Sequence, residues 1–273
     1  MSYRVKWVPT ALFIPLLYIL GWLIVQPLKL SGITFFLEKA SLLGSIVSLL
    51  LFVYLLPSWN QIRWQGLYKI SKGKFYRLLH YHPLRNFIWG FLISFGMIAF
   101  ILFLLTITSC VEWRLDFKIV DLVDSIFLCL FVGFFEELIF RGWLATEMNC
   151  LYGYKKGNIL QATIFSLVHF RTGMSFLEAT CLTIGLFLFG LVLAQRRNLN
   201  DGSLWGSIGL HGGLVGVWFL VQNSLVDFYP NRPSWLIGSG YPSPNPIGGV
   251  FGILILLLLY IIQRFGEVNS RRL

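Results

Sequence analysis

Residues 128–150 read LCLFVGFFEELIFRGWLATEMNC, an apolar stretch of membrane-spanning length with Glu136, Glu137 and Arg141 set into its middle. A carboxylate or guanidinium near the bilayer centre is disfavoured by roughly 2.5 to 3.5 kcal/mol on insertion scales, so charges kept at that depth mark a functional site. Glu137 and Arg141 are four apart, share a helix face and can pair, which offsets much of the penalty of burying each. Glu136 points about 100° away from Glu137, the rotation of one helical residue, and is the carboxylate left free to act. The alternative is a local charge cluster at a membrane boundary.

The rest of the chain agrees with a membrane setting. Of 273 residues, 56% are hydrophobic and 12% charged, and the mean hydropathy is +0.73. A soluble domain would carry about 25% charged residues. Apolar runs at 11–27, 42–57, 86–108, 122–145, 159–170, 176–195, 203–226 and 247–265 approach the roughly 20 residues that a bilayer requires, with 159–170 the shortest. They predict an all-α fold, a polytopic membrane helix bundle of about eight transmembrane helices around an intramembrane active-site cavity. Three stretches divide it: N-terminal helices with a basic interfacial loop at 1–120, a core that holds the charged positions at 121–226, and an outer loop with a last helix at 227–273. All three are expected to form one integrated membrane domain.

Charge bias predicts the orientation, because Lys and Arg favour cytoplasmic loops. With eight spans and the N-terminus inside, 15 of the 22 basic residues fall in inner segments, 6 in outer ones, and Arg141 within the membrane. Both termini are therefore expected in the cytoplasm. A net charge of +10 spread over inner loops suits anionic lipid headgroups and implies no nucleic-acid partner. The one extended inner loop, 58–85, mixes aromatic and basic residues as a helix lying in the interface does, and its His80 and His82 read as solvated groups, not metal ligands. Cys110, Cys129, Cys150 and Cys181 lack any CxxC or zinc-ribbon spacing and read as apolar filler. The first span has no small-residue cleavage site after it, so a cleavable signal is not expected.

Two histidines in later spans, His169 and His211, join the carboxylates. Two imidazoles and a carboxylate can hold a divalent metal, or can activate a water with the carboxylate as general base. Around His211 stand Gly206, Gly209, Gly212, Gly213 and Gly216. Small residues let helices approach closely, and Gly212 and Gly213 are also placed to leave room for a substrate backbone.

Glu136-Glu137-Leu138-Ile139-Phe140-Arg141 resembles the EExxxR signature of the CAAX-protease and bacteriocin-processing (CPBP, or Abi) family of intramembrane proteases. Phe165-Ser166-Leu167-Val168-His169 is similar to its FxxxH motif, and the 203–217 segment with His211 to its third. The likeness covers about 121–226, in the family's order, and implies that this core is catalytic. It implies a membrane-embedded endopeptidase acting on a membrane-associated peptide or protein. Glu136 and His169 would activate the attacking water, with Arg141 and Glu137 supporting the site. His211 would stabilise the oxyanion or join Glu136 and His169 around a divalent metal such as zinc. The family is described both as metalloproteases and as metal-free glutamate enzymes. HExxH and GxSxG are absent, which excludes a zincin arrangement and leaves a serine mechanism without support.

The chain departs from the family at Val215, where Asn or Asp usually follows the histidine by four residues. Loss of one oxyanion donor lowers rates about 10²- to 10³-fold. The competing expectation is thus a weak or inactive relative that binds partners or assists assembly of a complex. A transporter ranks last, since no inverted repeat or pair of broken helices is evident.

Overall fold

The computed structural model describes residues 6–29, 33–114, 116–170, 172–240 and 243–270, and the chain divides into two compact units, Met1–Phe75 and Tyr76–Leu273. Of the charges counted for orientation, Arg4, Arg171, Arg271, Arg272 and the side chain of Lys29 lie outside the described residues.

In the first unit, α1 (Val8–Lys29) packs on α2 (Thr34–Trp59), with Gly21 set against the backbone at Gly44 and the Ser48 hydroxyl. The expected interfacial loop begins differently from its reading. Helix α2 runs on without a break as a π-helical segment, Asn60–Leu67, whose Asn60, Arg63 and Trp64 are buried. The Arg63 guanidinium donates to Lys6 O (2.9 Å), Thr10 Oγ1 (3.1 Å) and Tyr68 OH (3.0 Å), and lies 4.9 Å from the Trp59 ring centroid. A cation satisfied by three acceptors and an aromatic face is a structural anchor and not a solvated loop charge. The nine-residue α3 (Lys72–His80) follows, and both His80 and His82 are exposed.

The second unit carries the three motifs. Its helices are α4 (Pro83–Ile107), α5 (Ile119–Glu137), α6 (Ala145–Tyr152), α7 (Tyr154–Val168), α8 (Phe176–Leu199) and α9 (Trp205–Leu220), followed by the single turn α10 (Ser234–Ile237) and then α11 (Val250–Ser270). A π-helical segment, Leu138–Leu144, joins α5 to α6, so helical backbone is continuous from Ile119 to Tyr152. Gly153, at φ 79°, allows the turn into α7.

Five helices among the described residues are long and apolar enough to cross a membrane: Val8–Leu28, Lys39–Leu67, Pro83–Ile107, Phe176–Leu199 and Trp205–Leu225. The other three expected spans are helical too. Asp121, Asp124, Glu136 and Glu137 lower the hydropathy of α5. The 15 residues of α7 reach about 22 Å at 1.5 Å per residue, less than the roughly 30 Å hydrocarbon core. The apolar part of α11 is Val250–Gly266. The fold is an all-α helical bundle of membrane type. To it the chain adds a two-stranded antiparallel ribbon that the apolar pattern does not announce: β1 (Val111–Trp113) against β2 (Val226–Phe228). The ribbon sets Glu112 opposite Asp227, and Arg114 answers the like charges with a 3.1 Å ion pair to Asp227.

Helix α9 sits between α4 and α5, and its glycines make that possible. A methyl group at Gly209 would meet the Phe87 carbonyl of α4, and one at Gly213 would meet the Ser94 hydroxyl. On the other side Gly212 faces the Cys129 carbonyl of α5 and Gly216 that of Ser125, whose hydroxyl donates to Gly216 O at 2.8 Å. The helix-packing role expected of these glycines therefore holds, and Gly212 and Gly213 leave no room for a substrate, because neighbouring helices fill the space. Gly212→Val should lower stability by about 2 kcal/mol, since the branched side chain would force α5 and α9 apart. Thermal unfolding in detergent checks this as a drop in melting temperature.

Candidate active site

Glu136 and Glu137 occupy the last turn of α5, Arg141 the π-helical segment, His169 the C-terminal end of α7, and His211 the middle of α9. Five side chains from three separate stretches of sequence meet at one point.

Glu137 and Arg141 are fully buried and joined by a 2.8 Å bond from Nη1 to Oε1. The same oxygen accepts from His211 Nδ1, also at 2.8 Å. The guanidinium carbon of Arg141 lies 4.0 Å from the Phe165 ring centroid, which gives the cation a second, electrostatic partner. Nη2 and Nε of Arg141, and Oε2 of Glu137, are buried without hydrogen-bond partners among the described residues. An arrangement this buried is held by packing and by the pairing itself.

Glu136 is different. Its side chain is 30% exposed, turned from Glu137 as the one-residue offset predicts, and lines a cavity of about 350 Å³. Its Oε2 lies 3.2 Å from His169 Nε2 and 3.8 Å from His211 Nε2. The partners of the other ring nitrogens assign the tautomers. His169 Nδ1 faces the Phe165 carbonyl at 2.7 Å, an acceptor, so Nδ1 carries hydrogen. His211 Nδ1 likewise donates to Glu137. Both imidazoles therefore turn Nε2 toward Glu136 and the cavity, each held by an acceptor behind it.

Oε2 of Glu136 and two imidazole nitrogens form the kind of donor set that zinc takes. Among the described residues, however, no group of three or more His, Cys, Asp or Glu side chains is arranged to hold a metal ion. Glu136 and His169 stand in direct hydrogen-bonding contact, a geometry suited to sharing a proton.

Sequence reasoning missed three supports. Phe165 was noted only as a motif position, yet its ring touches Arg141, packs against His169 with centroids 4.5 Å apart, and meets His211 edge-on at 5.9 Å. Phe189 meets His211 edge-on as well, at 5.2 Å, and lies 6.4 Å from the Phe165 ring. Arg197 was counted as an inner-loop charge. It donates to the backbone carbonyl of Arg141, and through Nη2 to Thr146 Oγ1 at 3.3 Å, so it braces the π-helical segment in which carbonyls depart from the regular ladder. π-Helical insertions recur at functional sites, but no residue type signals one in advance.

Val215 lies on the cavity wall and offers no donor. Trp218, the next N–H along that helix, is already committed: its Nε1 donates to Pro244 O at 2.8 Å. That bond draws residues 243–247 over the cavity, where Asn245 and Ile247 become part of the lining.

Comparison with known proteins gives two family matches. Residues 1–67 match a family described as a domain of unknown function. No curated protein and no solved structure matches the chain. Residues 118–217, which carry Glu136, Glu137, Arg141, His169 and His211, match the family model for type II CAAX prenyl endopeptidase, Rce1-like, in agreement with the CAAX-protease family that the three motifs resemble.

Proposed function

We propose that this protein is an intramembrane endopeptidase that hydrolyses a peptide bond of a membrane-associated substrate within the Glu136–His169–His211 cavity. The observation that carries this reading is the convergence of Glu136 Oε2 with two acceptor-anchored imidazoles on an open cavity, beside a fully buried Glu137–Arg141 pair. Structural salt bridges are common, but a half-open carboxylate backed by two oriented histidines is an acid–base apparatus.

The reaction follows from these positions. Glu136 takes a proton from a water as the water oxygen adds to the scissile carbonyl carbon, and the C=O π pair moves onto the carbonyl oxygen. Collapse of the tetrahedral intermediate breaks the C–N bond, and the proton held at Glu136 or His169 passes to the leaving nitrogen. Glu137, itself paired with Arg141, keeps His211 Nε2 aimed at the reaction site. Every step uses only groups of the chain and water. Lipid surrounds the bundle, the substrate enters from or beside the bilayer, and the basic loops face the cytoplasm in the orientation given by the charge count.

Purified protein in liposomes, offered a library of fluorogenic membrane-anchored peptides, should release fluorescence at neutral pH. Chelator treatment should leave the rate unchanged. A rate lost to chelator and restored by zinc would replace the proton-sharing role of Glu136 and His169 with metal ligation. Folded protein that cleaves no peptide in the library would remove the peptidase reading and favour the binding or assembly role that Val215 suits.

A further inference from the structure

Hydrolysis as written places negative charge on the scissile carbonyl oxygen, and that charge needs a donor fixed in advance. The cavity wall is poor in them. Val215 has none, and the Trp218 N–H is spent on Pro244. The backbone of the overlying strap is equally committed. Ser243 N donates to Gly240 O, Asn245 N to Ser239 O, Ile247 N to Asn245 Oδ1 and Gly248 N to Asn245 O, while Pro244 and Pro246 have no N–H.

Two side chains of the strap bring donors to the cavity, the rotatable Ser243 hydroxyl and the Asn245 amide, and only the amide is held in one orientation. The backbone N–H, the carbonyl and the side-chain oxygen of Asn245 are all in use, the last accepting from Ile247 N at 3.1 Å. Because a backbone N–H can only donate, this contact fixes which end of the amide is oxygen. The NH2 end has no partner among the described residues, and the residue lines the same cavity as Glu136, His169 and His211. The strap holding it is pinned at several points: Gly238, at φ 106°, packs against the Asn245 carbonyl, and Gly185 of α8 packs against the Ile247 carbonyl. Gln222 also lines the cavity, but its Oε1 has no partner, so nothing orients that amide.

We infer that Asn245 is a catalytic residue, donating through Nδ2 to the oxyanion that forms when water adds to the scissile carbonyl, the role that Val215 leaves unfilled on α9. This rests on the peptidase reading. The donor comes from beyond the 118–217 domain, from the segment between β2 and α11.

The test is kinetic, on the full-length protein in liposomes, with wild type and Glu136→Gln as references. Asn245→Asp keeps the side-chain oxygen that caps Ile247 N but removes the donor, so kcat should fall about 10²- to 10³-fold with KM within about threefold and the melting temperature unchanged. Val215→Asn added to Asn245→Asp should recover at least about tenfold of kcat by supplying a donor from the helix. A purely structural Asn245 would give wild-type kcat in Asn245→Asp, or losses in Asn245→Ala that track the melting temperature with no rescue by Val215→Asn. Either result overturns the inference while leaving the peptidase standing. A wild type that cleaves nothing removes the peptidase and this role with it.

Discussion

Glu136→Gln should abolish cleavage, with a loss of about 10³-fold or more, while leaving the protein inserted and its melting temperature within a few degrees of wild type. Gln has the shape of Glu and can donate its amide N–H to the bare Nε2 of His169, but it cannot take a proton from water. General acid–base catalysis contributes about 10²- to 10⁴-fold by itself, and in the proposed reaction the proton returned to the leaving nitrogen is the one that Glu136 takes from water. Stability should hardly change, because the Glu136 side chain is 30% exposed and is not the partner of Arg141. Cleavage rates and thermal unfolding on the same preparations check both halves. Full activity in the Gln variant would take Glu136 out of the mechanism.

The second large effect concerns the pair behind the site. Arg141→Leu should destabilise the protein by about 3 to 5 kcal/mol, since it strands the Glu137 carboxylate in a place with no exposure to water. Glu137→Leu should do the same by stranding Arg141. The double variant Glu137→Leu/Arg141→Leu should recover most of the stability, because two apolar groups replace a buried ion pair and no lone charge is left. It should not recover activity: His211 Nδ1 loses the acceptor 2.8 Å away that holds Nε2 toward Glu136. Thermal unfolding paired with kcat separates the two effects. A double variant as active as wild type would mean that His211 orientation does not matter to the reaction.

Much of the site was legible because its chemistry is expensive to place in a membrane. Glu136, Glu137 and Arg141 stand out against an apolar background, helix spacing assigns Glu137 to Arg141 and turns Glu136 away, and two histidines in apolar helices call for partners. The helical, membrane-type fold follows from composition and run length in the same way. Helix α7 was the hardest to read, because a 15-residue helix falls below the length at which an apolar run identifies itself as a span.

Contacts between distant segments carry no such local signal. Phe165 as the aromatic centre of the site, Arg197 on the Arg141 carbonyl, and the commitment of Trp218 to Pro244 each join residues from different helices, and a side chain's sequence neighbours say nothing about which remote acceptor it will find. The glycines of α9 mark the converse case: periodicity predicts that a neighbour comes close, whereas only packing decides that α4 and α5 take the space on both sides and leave none for a substrate. Asn245 lies in a polar segment with no periodic pattern, 34 positions beyond His211. Its amide became a candidate donor only when the fold brought the strap to the cavity and fixed the amide's orientation through Ile247 N. Residue type and spacing thus singled out the candidate groups, since burying charge in lipid demands a reason, while three-dimensional packing alone decided which neighbours hold them.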